Sequence, residues 1–155
     1  LNVVAVVPPL WTGKEPSYFQ QEVDYVGADR AEAAYPIKSF IDNGATIVFH
    51  TDYPVSPVVD VTKSVYTAVK RKAPGSSDEC VRKSDEFITR YQALLALTKN
   101  VAYLLHEENH LGSLEIGKVA NMSVYDSDFL KDDLEKIGNS NLVCTIVDGE
   151  TVYKA

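Results

Sequence analysis

Hydrophobic positions along this chain fall into three patterns: short unbroken runs, helical stripes and, towards the end, strand-like stretches around a tight turn. The first run, Leu1 to Val7 (LNVVAVV), predicts a buried β-strand already under way at residue 1, so the chain reads as a fragment. Pro8 to about Gly27, with Trp11, Tyr18, Phe19 and Tyr25, has no clear period. It is expected as a long loop, and loops of this length are either functional lids or poorly ordered. Pro36 suits the first turn of a helix with Ile37, Phe40 and Ile41 on its apolar face, and Asn43-Gly44 ends that helix. Ala45 to Phe49 (ATIVF) is short and continuously apolar, as a strand buried on both faces should be. Helices on either side of it point to a parallel α/β sheet.

Ser56-Pro57 reads as an N-cap followed by proline, opening a helix with Val58, Val61, Val65, Ala68 and Val69 on one stripe and an end near Lys72. Gly75 to Asp78 is a loop. A further helix is expected from about Asp85, burying Phe87, Ile88, Tyr91, Leu94 and Leu95, and another from Val101 to about Asn109. Strand patterns then appear at Asn121–Tyr125, Leu142–Val147 and Thr151–Tyr153, the last two joined by Asp148-Gly149, a strong hairpin signal. The order is β-α-β-α-α-α followed by a small antiparallel β module, with no internal repeat.

Composition narrows the classes. With 155 residues, 45% hydrophobic and 24% charged, the chain has ordinary globular proportions. Its 15 Lys and Arg against 22 Asp and Glu leave a net charge of −7, which argues against a nucleic-acid partner that needs a basic face. The longest apolar run, Val3 to Leu10, contains two prolines and falls short of the ~20 residues of a spanning helix, so no membrane partner is expected. Cys80 and Cys144 lie far apart without a CxxC partner, which favours free thiols and a reducing, cytoplasmic compartment.

Candidate chemistry gathers in two places. His50-Thr51-Asp52-Tyr53-Pro54 directly follows the ATIVF strand, and side chains at the C-terminal ends of parallel barrel strands converge on active sites. Asp52 there can bind a metal and accept a proton from metal-bound water, or it can simply cap the turn before Ser56. The second is His106-Glu107-Glu108-Asn109-His110, a literal H-E-x-x-H. On a helix it would make His106 and His110 zinc ligands beside Glu107; as a polar helix C-terminus it needs no metal. The acidic stretch Asp126 to Glu135 lacks the ligand spacing of a calcium loop. Lys70-Arg71-Lys72 reads as the cationic last turn of a helix.

Taken in order, FHTDYPVSP (49–57), VKR (69–71), Thr98-Lys99-Asn100-Val101-Ala102, LGSLEIGKVANMSVYD (111–126) and VDGETVY (147–153) resemble the C-terminal part of a metal-dependent amidohydrolase, most like the branch that includes N-substituted formamide deformylases. The resemblance implies an α/β fold. Residues 1–110 would form the last two strands and helices of a (β/α)₈ barrel, and residues 111–155 part of a β-sandwich. It implies hydrolysis of non-peptide C–N bonds of small amide-type substrates by a metal-activated water, with one or two divalent metals, usually zinc. Asp52 would ligate the metal and move the proton. Trp11 and Tyr53 are the substrate-binding candidates, and the Pro8–Gly27 loop with Trp11 and Tyr18 suggests an apolar or aromatic group near the site. The remaining metal ligands of such enzymes lie on segments absent from this sequence, so the isolated chain is expected to be inactive and to self-associate through exposed strand edges. Two departures stand out. His50 occupies a position usually held by a small residue, and Asn121 stands where Asp commonly follows Ala. A zinc peptidase using His106 and His110, and a non-catalytic interaction module, are the competing readings.

Overall fold

The computed structural model describes residues 3–56 and 59–155. The predicted positions Leu1, Asn2, Pro57 and Val58 lie outside these. The first strand, β1 (Val4–Val7), and the second, β2 (Thr46–Phe49), pair in parallel, with Val4 opposite Thr46 and Val7 opposite Phe49. A parallel pair needs a crossover, supplied here by α1 (Pro16–Val26), α2 (Ala28–Glu32) and α3 (Ile37–Asp42). The segment expected as a loop therefore contains an 11-residue helix. Its Glu15 carboxylate accepts the Tyr18 amide at 3.0 Å, and Pro16 starts the first turn. It buries no residue, which is why the apolar pattern did not reveal it.

Beyond β2 the chain enters α4 (Val61–Lys70), which buries Thr62 and Ser64 through Ala68. Its cap is Asp60, whose carboxylate accepts from Thr62 and Lys63; Ser56, the predicted cap, is used elsewhere. Burial disfavours the Asp60 carboxylate, but the Thr62 and Lys63 hydrogen bonds outweigh it and hold its pKa below the usual range.

The next helix, α5 (Arg90–Leu97), starts later than expected, behind a capping box of Thr89 and Gln92. Its buried face is Ala93 and Ala96, while Phe87 and Tyr91 are exposed. Of the larger apolar residues expected on this face, Ile88 is buried in the core and Leu94 packs against it, so only Phe87 and Tyr91 misled. The sixth helix, α6 (Lys99–Leu104), ends well short of Asn109.

A second sheet runs in the order β3 (Met122–Tyr125), β4 (Leu142–Val147), β5 (Glu150–Lys154), antiparallel throughout. Asp148 and Gly149, both at positive φ, make the predicted hairpin turn. Between β3 and β4 the acidic stretch ends in a short helix, α7 (Leu134–Gly138), whose Asp133 caps it through the Glu135 amide. Leu134 and Ile137 are buried, and the Tyr66 hydroxyl of α4 donates to Glu135. The core joins the two sheets' surroundings: Val7, Ile47 and Phe49 meet Ile37, Val65, Tyr66, Ile88, Ala93, Ala96 and Ile137. Both cysteines are free thiols. Among the described residues no helix is long and apolar enough to cross a membrane.

Candidate active site

The two parallel strands end together. His50 donates its backbone N–H to the Val7 carbonyl at 3.1 Å, one step past β2, and the chain then turns sharply. Asp52 makes that turn at φ 55°, in the left-handed region that residues other than glycine seldom occupy. Its amide donates to the His50 Nδ1 at 3.1 Å, and its carbonyl accepts the Ser56 amide at 3.0 Å. The half-buried Asp52 carboxylate makes no hydrogen bond or ion pair among the described residues. A side chain that merely capped the turn would be hydrogen-bonded to a nearby amide.

Trp11 sits in the single 3₁₀ turn Pro9–Thr12 that follows β1. Its indole N–H donates to the buried Ser56 hydroxyl at 2.8 Å, and its ring stacks on Tyr18 with centroids 6.5 Å apart and planes 12° from parallel. Ser56 therefore joins the two strand ends: its hydroxyl holds Trp11 and its amide holds the Asp52 carbonyl. Tyr53 is 69% exposed, its amide donating to the Thr51 hydroxyl. The structure thus links Trp11 to the Asp52 turn and leaves Tyr53 in solvent.

A polar cluster stands behind this turn, and the sequence pattern did not signal it. The Tyr35 hydroxyl donates to one Glu22 oxygen at 3.3 Å, and the other Glu22 oxygen pairs with Arg82 at 2.5 Å. The Arg82 guanidinium is buried between the Phe19 and Tyr35 rings, 5.0 and 5.2 Å from their centroids. Burial raises the Tyr35 hydroxyl pKa, helped by the Glu22 charge and, more weakly, by that of Asp52. These contacts tie α1, which buries no residue fully, to Tyr35 and to the Arg82 loop. They join residues 13 and 60 positions apart, a distance over which periodicity carries no information.

The motif residues elsewhere hold the frame. Asn100 donates to the Ile47 carbonyl at 2.8 Å, fastening α6 to β2. The sequence places Arg71 in a cationic helix end. Instead it is fully buried and donates to the carbonyls of Arg82, Tyr35 and Ala34 at 2.8, 2.8 and 3.1 Å. Lys118 reaches back to the Glu108 carbonyl and the Ser113 hydroxyl, both at 2.6 Å, closing the loop between α6 and β3.

That loop contains the H-E-x-x-H segment. Since α6 stops at Leu104 and His106 lies at φ 59°, His106 and His110 do not sit one turn apart on a helix, which the zinc-peptidase arrangement requires. Among the described residues no group of three or more His, Cys, Asp and Glu side chains is placed to hold a metal. A catalytic zinc takes about three protein ligands. Asp52 by itself does not meet that requirement, so the donors among the described residues do not fit a complete metal centre.

A family model described as the amidohydrolase family matches residues 5–153. The chain belongs to the amidohydrolase family. Its sequence is 28% identical over 158 residues to the protein LONG AFTER FAR-RED 3 of Arabidopsis thaliana, covering 99% of this chain and 25% of that protein. It is also 28% identical over 120 residues to the N-substituted formamide deformylase of Arthrobacter pascens, covering 77% of this chain and 21% of that enzyme. The chain thus spans about a quarter of the length of these curated relatives. Among solved structures it superposes on an amidohydrolase from Thermotoga maritima with a TM-score of 0.63 at 23% identity, covering 99% of this chain and 32% of that one. E. coli guanine deaminase gives 0.64 at 15% identity, covering 99% and 34%. At these identities the structural likeness speaks for the fold, an amidohydrolase-like α/β arrangement.

Proposed function

We propose that this amidohydrolase chain supplies the last two strands of a (β/α)₈ barrel, with part of a β-sandwich over residues 111–155, to a metal-dependent hydrolase of non-peptide C–N bonds in small amide- or formamide-type substrates. The observation that carries this reading is Asp52. Its carboxylate has no partner among the described residues, and it sits at the joint C-terminal end of two parallel strands in a chain of this family. Asp52 would be the carboxylate this chain contributes to a divalent metal, usually zinc, and the group that takes a proton. Zinc-complexed TrzN from Arthrobacter aurescens, with a TM-score of 0.58 at 18% identity, covers 98% of this chain and 35% of that enzyme, and its fold is consistent with such a partner metal.

The rest follows from the chain's own side chains. The Trp11–Tyr18 stack offers an apolar wall beside the strand ends, suited to an aromatic or aliphatic substituent of the substrate. Tyr53, largely in solvent, would reach a substrate only from the outer side. Leu114, Ile116 and Val152 are also exposed, so the chain by itself should self-associate and should not hydrolyse amides.

The test has two parts. In the longest polypeptide that carries this chain, Asp52→Asn should lower amide hydrolysis by about 10²-fold or more; unchanged turnover refutes the assignment. Elemental mass spectrometry on the dialysed 155-residue chain should find no retained zinc. About one tightly held zinc per chain would return the metal to His106 and His110.

A further inference from the structure

We propose that His50 is a positioning residue for Asp52 and an outward hydrogen-bond donor at the strand end, and that it is not a metal ligand. A backbone N–H can only donate. The Nδ1 that receives the Asp52 amide at 3.1 Å is therefore the unprotonated nitrogen of the ring. In a neutral imidazole the proton then lies on Nε2. Both positions through which a metal could bind are closed, since the Nδ1 lone pair is engaged by the amide and Nε2 carries hydrogen. Among the described residues no protein group accepts from Nε2, so it is left as a donor for an acceptor oxygen. On the functional reading above, on which only this last point rests, the matching chemistry is a substrate carbonyl.

The same bond acts on the backbone of Asp52. At φ 55° that residue sits where a side chain is uncommon, and the peptide groups on both sides of its Cα are fixed. His50 holds the amide and the Ser56 amide holds the carbonyl at 3.0 Å. A backbone held at both ends fixes the direction in which the Asp52 Cα–Cβ bond leaves the turn. A small residue at position 50 would have no side-chain acceptor for the amide.

The experiment reads the imidazole directly. Multiple-bond proton–nitrogen correlation on the ¹⁵N-labelled chain separates the two tautomers of a neutral imidazole. The chain has three histidines, and His50→Asn identifies the His50 signals by their loss. His50 is expected purely as the Nε2–H tautomer, and adding one equivalent of Zn²⁺ should leave its pattern unchanged. Asparagine places an acceptor oxygen close to where Nδ1 sits, so hydrogen exchange at the Asp52 amide should stay slow in His50→Asn and become several-fold faster in His50→Ala. An Nδ1–H tautomer, a rapidly exchanging mixture, a zinc-dependent shift of His50, or equal protection of the Asp52 amide in all three proteins would overturn the proposal. None of these readouts depends on hydrolysis, so their failure is distinct from a failure of the functional assignment.

Discussion

Replacing Arg71 with Met tests whether one buried cation holds the loops behind the strand ends. The guanidinium donates to three backbone carbonyls. In the substituted protein the Tyr35 carbonyl keeps the Ile37 amide, but those of Ala34 and Arg82 lose the one partner they have among the described residues. The buried Arg82 carbonyl left unsatisfied costs roughly 1–3 kcal/mol, and the part-buried Ala34 carbonyl less, because water can reach it. Against this, Met removes a desolvated charge. Burial, and secondarily the neighbouring Arg82 cation, holds the Arg71 pKa down to about 10, low for a guanidinium yet high enough to keep it charged at neutral pH. Apolar replacement of buried ions regains part of such a penalty. The left-handed backbone at Arg71, φ 54°, is no harder for Met than for Arg and drops out of the comparison. The net loss should be about 1–2 kcal/mol, a measurable part of the stability of a domain this size. Urea denaturation followed by the fluorescence of Trp11, the single tryptophan, and by circular dichroism would measure it at unchanged slope. Arg71→Lys should fall between, because one ammonium cannot reach three divergent carbonyls with the planar fork's geometry. A loss under about 0.5 kcal/mol for Arg71→Met would refute the reasoning, since it would mean the three hydrogen bonds only balance desolvation.

Other consequences can be measured on the same chain. Gly112 stands at φ 86°, and a Cβ there would lie 2.6 Å from the Ala102 Cβ, so Gly112→Ala should destabilise by about 2–3 kcal/mol in the same urea assay. Asp126 accepts from the Ser140 hydroxyl and from the Asn141 side chain and amide, which lowers its pKa to about 2. Its folded pKa lies below the unfolded one, so its contribution is complete above about pH 4 and is lost as pH falls through 2. The Asn141 amide shift should titrate over that range and stop doing so in Asp126→Asn. Glu22→Gln removes the charge that joins Arg82 and Tyr35, and should speed hydrogen exchange in Pro16–Val26 several-fold while leaving Ala93 and Ala96 protected.

The strands were legible because their signal is local. ATIVF is apolar throughout, and Asp148-Gly149 sits between two β-rich runs, so β2 and the β4–β5 hairpin lie within a residue of their predicted limits. The same local logic failed wherever a helix buries little or buries small residues. The first helix buries no residue fully, the last presents only Leu134 and Ile137, and the residues α5 buries fully are alanines, with Leu94 and Leu97 packed beside them. The H-E-x-x-H letters suggested a metal pair only if the helix continued. Its end at Leu104 is fixed by the loop that Lys118 and Gly112 close from farther along the chain.

For the site, the order of residues in the chain already determined that a carboxylate, Asp52, follows a buried strand and that Trp11 follows another. Covalent sequence sets what lies at each strand's end. It does not set what those ends touch. The pairing of Val7 with Phe49, the Ser56 bridge from Trp11 to the Asp52 turn, the His50 acceptor for the Asp52 amide and the Glu22–Arg82–Tyr35 cluster join positions up to 60 residues apart. Such contacts depend on how the crossover helices pack, because a buried donor finds whichever acceptor the tertiary fold brings within about 3 Å. Only the folded chain could decide them.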